Sequence, residues 1–123
     1  MPKTILLIEA DENLREFFTR VFTIDGFEVL HLACEDDILK LNKDEVNSLD
    51  VLVVDDCTDA GSFAKLLEDT YTTHERSRNL PVLAILTKGS NADSYHDHFD
   101  AVMIKDNFNI QLLTTLVDKF SNP

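Results

Sequence analysis

The sequence contains the run DVLVVDD at residues 50–56, in which four consecutive apolar residues are followed by two acids. A strand that is apolar at successive positions is buried on both faces, as in a parallel sheet that is covered by helices. Runs of this kind predict five strands, at Thr4–Ile8, Phe27–Leu30, Val51–Val54, Val82–Leu86 and Ala101–Ile104. The sequence therefore predicts an α/β fold with a five-stranded parallel sheet, in which Val51–Val54 is an interior strand.

The segments between the strands have the apolar spacing of helices, which predicts helices on both faces of the sheet. The first segment has apolar residues at i, i+3, i+4, i+7 and i+8, namely Leu14, Phe17, Phe18, Val21 and Phe22. Its three phenylalanines are predicted to face the core. Asp11 is placed to cap this helix, and Gly26 is placed to end it.

Other helices are predicted from three further segments. Phe63, Leu66, Leu67 and Tyr71 form a second stripe, residues Ile110–Phe120 form a closing helix, and Glu35–Val46 contains a short helix among many charges. The region Asn91–Phe99 has few apolar positions. The fourth helix is therefore predicted to be short or irregular, and this region to be the most mobile or irregular part of the domain.

Length and composition fit one domain over residues 1–123, because a typical domain has about 100–150 residues. The chain has 23 acidic and 11 basic residues and a net charge of −12, which argues against direct binding of nucleic acid. No apolar run approaches the ~20 residues of a membrane helix. The two cysteines, Cys34 and Cys57, have no disulfide or metal spacing, so a reducing, cytoplasmic setting is expected.

Polar side chains follow the strands at the positions where a parallel sheet gathers its carboxyl ends. Glu9 and Asp11 follow the first strand, and Asp55 and Cys57 follow the third. Thr87 comes after the fourth strand and Lys105 after the fifth. Ligands of open α/β sheets bind at this edge. Carboxylates there can hold Mg²⁺, and a further carboxylate can act as a nucleophile toward phosphorus while an ammonium group pairs with the phosphoryl oxygens.

These segments resemble the receiver domains of two-component response regulators, and the resemblance covers nearly the whole chain. ILLIEADENLREFF is similar to the family's first strand, acidic pair and first helix, and DVLVVDD is similar to its third strand. LPVLAILT is similar to the fourth strand with its switch hydroxyl, and FDAVMIK to the fifth strand with its lysine. The order and the spacing of the four segments carry the resemblance.

The resemblance implies a role for each candidate residue. Asp55 would accept a phosphoryl group from a kinase histidine, with Lys105 and Thr87 contacting that group. Glu9, Asp11, Asp55 and the backbone carbonyl of Cys57 would be the candidate Mg²⁺ ligands. The implied partners are a histidine kinase or another signalling protein, and the implied catalysis is limited to autophosphotransfer and self-dephosphorylation.

The sequence departs from the family pattern at several of these positions. Ala10 stands where the second acid of the first strand would supply a metal ligand, so Mg²⁺ binding is expected to be weak. Asp106 replaces a proline after the lysine, and Val102 replaces the aromatic switch residue. These departures weaken phosphorylation at Asp55 and switching, and they favour an atypical receiver, a pseudo-receiver.

Two alternatives remain open on the sequence. One is a conventional Mg²⁺-dependent aspartyl-phosphate switch in a phosphorelay. The other is a flavodoxin-like ligand binder or small enzyme, which the sequence disfavours because no glycine-rich phosphate loop follows the first strand.

Overall fold

Five parallel strands form the sheet in the computed structural model, which describes residues 2–55, 59–76, 78–86, 92–104 and 110–122. The strands are β1 (Thr4–Ile8), β2 (Glu28–Leu32), β3 (Val51–Asp55), β4 (Val82–Leu86) and β5 (Ala101–Ile104). Their order in the sheet is β2-β1-β3-β4-β5, and all neighbours pair in parallel. The α/β class and the interior position of Val51–Val54 are thus confirmed.

The helices lie on both faces of this sheet. They are α1 (Glu12–Ile24), a 3-10 helix (Glu35–Lys40), α2 (Lys43–Ser48), α3 (Ala60–Thr73), α4 (Ala92–His96) and α5 (Ile110–Ser121). One core cluster joins the sheet to α1 and α5, and a second joins it to α2, α3 and α4. Within the described ranges, no helix has the length and apolar character that crossing a bilayer requires.

Helix α1 begins and ends where the sequence predicts. The Asp11 carboxylate accepts the N–H of Leu14 at 3.0 Å, and Gly26 after the helix has a φ of 96°, which an L side chain rarely adopts. The prediction that all three phenylalanines face the core was wrong for one of them. Phe18 and Phe22 are buried, whereas Phe17 is 41% exposed because it lies at the margin of the apolar stripe.

Both ends of β2 and the extent of one helical segment differ from the prediction. Strand β2 starts at Glu28 instead of Phe27, because the N–H of Phe27 donates to the carbonyl of Phe22 and belongs to the turn after α1. The strand continues to Leu32, which pairs with Ile8. The short helix predicted within Glu35–Val46 is two helices, because Asn42 caps α2 through a reciprocal capping box with Glu45.

Helix α4 is short, as predicted, and two of the few apolar side chains in its segment anchor it to the core. Tyr95 and Phe99 are both buried in the cluster beneath α3. The Phe99 ring meets Phe63 of α3 edge to face, with 6.0 Å between ring centroids. Two aromatic side chains four residues apart therefore hold this five-residue helix against the domain. The greater mobility proposed for this region stays a prediction.

The Tyr71 hydroxyl links α3 to the start of β4, and we expect its removal to destabilise the protein. It accepts the buried N–H of Leu80 at 3.1 Å. Tyr71→Phe would leave that N–H without this acceptor, so the free energy of unfolding should fall by about 1–3 kcal/mol. Chemical denaturation measures the change, and an unchanged free energy would contradict the assigned role.

The dependence of stability on alkaline pH provides a second test of Tyr71. Burial raises the pKa of Tyr71 above its usual value. The unfolded chain then loses the Tyr71 proton first, so this contribution to stability is present below pH ~10 and declines as the pH rises further. Tyr71→Phe should show a smaller loss of stability above pH ~10 than the unmodified protein. Equal losses in both would contradict this linkage.

Candidate functional site

Two buried carboxylates lie side by side at the carboxyl edge of the sheet. Asp55 is the last residue of β3, and Glu9 directly follows β1. Because Ile8 pairs with Val54 in the sheet register, the next residues along each strand, Glu9 and Asp55, are neighbours. They are 2% and 3% exposed, respectively. Acids are this deeply buried only when polar groups engage them, so their partners decide what the site can do.

A backbone group engages Asp55. The N–H of Ala10 donates a 2.8 Å hydrogen bond to Asp55 Oδ2. Hydrogen bonds between a backbone N–H and a carboxylate are short and strong, and this one joins residues that are 45 positions apart in the chain. It fixes the orientation of the Asp55 carboxylate against the segment that leads from β1 into α1.

Glu9 is held by the same segment. Its Oε1 accepts the N–H of Asp11 at 3.4 Å, and its backbone carbonyl accepts Arg15 Nη1 at 3.0 Å. Helix α1 starts at Glu12, so its positive dipole end lies beside the segment that carries both interactions. The start of α1 thus supports the two acids with N–H donors and partial positive charge.

The donor set among these residues does not fit a magnesium site. Mg²⁺ requires near-octahedral oxygen ligands, and the Ala10 side chain supplies no oxygen. The Asp11 carboxylate caps α1 through Leu14, and one oxygen of Asp55 accepts the Ala10 N–H. In the part of the chain that the structure describes, no three His, Cys, Asp or Glu side chains are grouped to hold a metal ion.

Comparison with solved structures shows what this architecture matches. A response regulator receiver domain protein from Clostridium thermocellum aligns over 98% of this chain and 94% of its own, with a TM-score of 0.76 and 19% identity. The fold is that of response regulator receiver domains. A response regulator receiver protein from Sinorhizobium medicae covers 98% and 95% of the two chains, with a TM-score of 0.75 and 20% identity.

A third receiver comes from a protein described as a histidine kinase. This signal receiver domain of two-component signal transduction, also from Clostridium thermocellum, covers 100% of both chains with a TM-score of 0.74 and 19% identity. The sequence matches no protein-family profile and no curated protein. The likeness to receivers therefore lies in the backbone arrangement.

In the receiver fold, the other candidate residues follow strands that end at the same edge. Strand β4 ends at Leu86 and β5 at Ile104, and Thr87 and Lys105 come next in the chain. Both residues, and Cys57 after β3, lie outside the described residues, so their assigned roles stay predictions. Of the switch positions of the receiver fold, Val102 in β5 is described. It is half-buried, pairs with Ala84 and packs against the α3 side of the core.

Sequence reasoning missed two contributions to this edge. It treated Ala10 only as a lost ligand, although the backbone N–H of that residue positions Asp55. It also gave no role to Asp59, whose carboxylate caps α3 by accepting the N–H of Ser62 at 2.8 Å. That bond, with a smaller contribution from nearby His98, holds the pKa of Asp59 below its usual value. The pattern D-x-x-S at the start of α3 was the available signal for the cap.

Proposed function

We propose that this chain is a receiver-like signal-transduction domain that acts by binding other proteins, with recognition largely independent of phosphorylation at Asp55. The observation that carries the proposal is that Ala10, whose N–H bonds to the Asp55 carboxylate, has a side chain without oxygen. Receivers carry a metal ligand at this position, and here a methyl group takes its place. Mg²⁺ binding is therefore proposed to be weak, and the partner to be a histidine kinase or another signalling protein.

The switch positions support the same proposal. A receiver transmits phosphorylation when its hydroxyl loop moves inward and an aromatic residue of the fifth strand follows. Here that position is Val102, a half-buried aliphatic residue, and α4 has five residues. A ligand shifts an equilibrium only through different interactions with the two states. With an aliphatic switch residue and a short fourth helix, the two states would differ by few contacts.

The proposed partner surface includes α5 and the segment Asn91–Phe99, which precedes β5. At the start of α5, Ile110 is 42% exposed and Leu112 is 49% exposed. We propose these two side chains as contacts with the partner protein. The domain is proposed to work in the cytoplasm, in keeping with its cysteine usage.

Beryllofluoride, which mimics a phosphoryl group on aspartate, tests this proposal without a known partner. With millimolar Mg²⁺ and beryllofluoride, we expect the amide NMR spectrum of residues 92–104 and 110–122 to stay unchanged, because few contacts distinguish the states. Asp55→Asn is the matched control, since it keeps an oxygen that can accept the Ala10 N–H while removing the carboxylate charge. Changes across both ranges that Asp55→Asn abolishes would restore the conventional switch.

Partner affinity gives the corresponding functional readout. Once a partner has been captured, its affinity should agree within about threefold, under ~0.7 kcal/mol, with and without beryllofluoride. A tenfold gain that Asp55→Asn abolishes would overturn the proposal.

The conventional Mg²⁺-dependent switch is the second candidate, favoured by the burial of Asp55 at the end of an interior strand beside Glu9. It predicts that a small phosphodonor with Mg²⁺ adds one phosphoryl group to the unmodified protein and none to Asp55→Asn. Intact-mass measurement separates the two candidates.

A further inference from the structure

A polar cavity lies at the amino edge of the sheet, on the side opposite to Asp55. It has a volume of about 450 Å³, within the range of small-molecule sites. Its lining includes the residues that directly precede three strands, namely Lys3 before β1, Asp50 before β3 and Pro81 before β4. Phe120 and Ser121, at the end of α5, form another part of the wall.

The charge of this cavity is opposite to that of the chain. Three of the 11 basic residues line it, Lys3, Arg76 and Arg78, whereas Asp50 is its one acidic lining residue among those described. One Asp50 oxygen accepts the N–H of Thr4 at 2.8 Å. Although the protein has a net charge of −12, these three cations make the cavity a favourable place for an anion.

Arg76 is held in place by three hydrogen bonds to backbone carbonyls. Its Nε donates to the carbonyl of Arg78 at 2.8 Å, and its Nη1 donates to the carbonyls of Val46 and Asn47 at 3.1 and 3.3 Å. No hydrogen bond among the described residues uses Nη2. The ion pairs among the described residues are Lys40–Asp37 and Lys43–Glu75, and neither includes Arg76.

Burial and the neighbouring Arg78 disfavour the charge of the Arg76 guanidinium, and Asp50 partly opposes them. Desolvation lowers the pKa of Arg76 below its usual value, which means that the surroundings disfavour the charged form. An anion in the cavity would oppose that effect.

The backbone that presents Arg76 is strained. Helix α3 ends in a Schellman motif, with the N–H of Arg76 bonded to the carbonyl of Tyr71 and the N–H of Glu75 bonded to that of Thr72. Glu75 occupies the left-handed position, which usually holds glycine, at a φ of 56°. The motif turns the chain back so that Arg76 reaches the last carbonyls of α2.

We propose that this cavity binds a small organic phosphate, with the phosphate held by Arg76, Arg78 and Lys3. A guanidinium fixed by its other nitrogens can present Nη2 to an oxyanion, and a second arginine with a lysine complements a doubly charged phosphate. Phe120 and Pro81 supply an apolar wall for a flat group such as a nucleobase. The proposal concerns the edge opposite to Asp55 and is independent of the proposed function.

The test is an amide NMR titration of the full chain with adenosine monophosphate in a phosphate-free buffer. With adenosine monophosphate, we expect saturable chemical-shift changes at the cavity residues. Inorganic phosphate should shift the same residues with lower affinity, and adenosine should shift none of them. Arg78→Ala, at an exposed position, should weaken binding by at least about fivefold, because a charged hydrogen-bond donor is lost. Lys3→Ala should weaken it in the same direction.

Lys40→Ala is the matched control, since it removes one positive charge from a side chain that is 81% exposed and outside the cavity. Its affinity should stay within about twofold of the unmodified protein. Equal weakening by Lys40→Ala and Arg78→Ala would overturn the proposal in favour of unspecific attraction. Shifts confined to Asp55 and Ala10, equal shifts with adenosine, or no saturable shift would also overturn it.

Discussion

Phe63→Ala should lower the free energy of unfolding by about 3–5 kcal/mol, because it removes a fully buried ring and leaves a cavity. Phe63 is 1% exposed and contacts Phe99, so the loss also removes the edge-to-face pair that anchors α4 to α3. Since a domain of this size is stable by only about 5–15 kcal/mol, this one change removes a large part of the total. Denaturant titration measures the effect.

The control for Phe63→Ala is the same substitution at Phe17, which is 41% exposed. We expect Phe17→Ala to change the free energy of unfolding by less than about 1 kcal/mol. Hydrogen exchange adds a local readout, because exchange in α4 should accelerate more than exchange in α1 when Phe63 is truncated. Equal acceleration in the two helices would show that Phe63 does not specifically hold α4.

Ala10→Asp should strengthen Mg²⁺ binding by at least about tenfold, or ~1.4 kcal/mol. The substitution adds a carboxylate beside Glu9 and Asp55, while the N–H of residue 10 can still bond to Asp55. Titration calorimetry of both proteins measures the two affinities.

Ala10→Leu is the matched control for the metal prediction, because it enlarges the side chain without adding oxygen and should leave the Mg²⁺ affinity unchanged. Tight Mg²⁺ binding by the unmodified protein would contradict the prediction. It would indicate that Asp11 gives up the α1 cap to serve as a ligand.

The central part of the fold could be predicted because its signals lie in the side chains. Residues such as Val53 and Leu83 are fully buried in strands covered on both faces, and several such runs alternating with helical stripes indicate a parallel α/β sheet. Asp11 and Gly26 likewise define the ends of α1 through their own chemistry.

The features that were missed depend on neighbours distant in the sequence. Leu32 belongs to β2 because β1 extends far enough to pair with it. Phe99 is a core residue because its ring meets Phe63, and Tyr95 packs on Phe99, whereas their own sequence has no helical stripe. Glu9 and Asp55 could be assigned to one edge, but the contact between Ala10 and Asp55 depends on the path of the main chain after β1.

The hydrogen bond between Ala10 and Asp55 involves the backbone of residue 10 and not its side chain. Any residue at position 10 except proline would supply the backbone N–H that bonds to Asp55. The orientation of this carboxylate is therefore indifferent to the identity of residue 10, whereas metal coordination depends on it. Alanine in place of a ligand residue at position 10 therefore removes a metal ligand, while the hydrogen bond that orients Asp55 is kept.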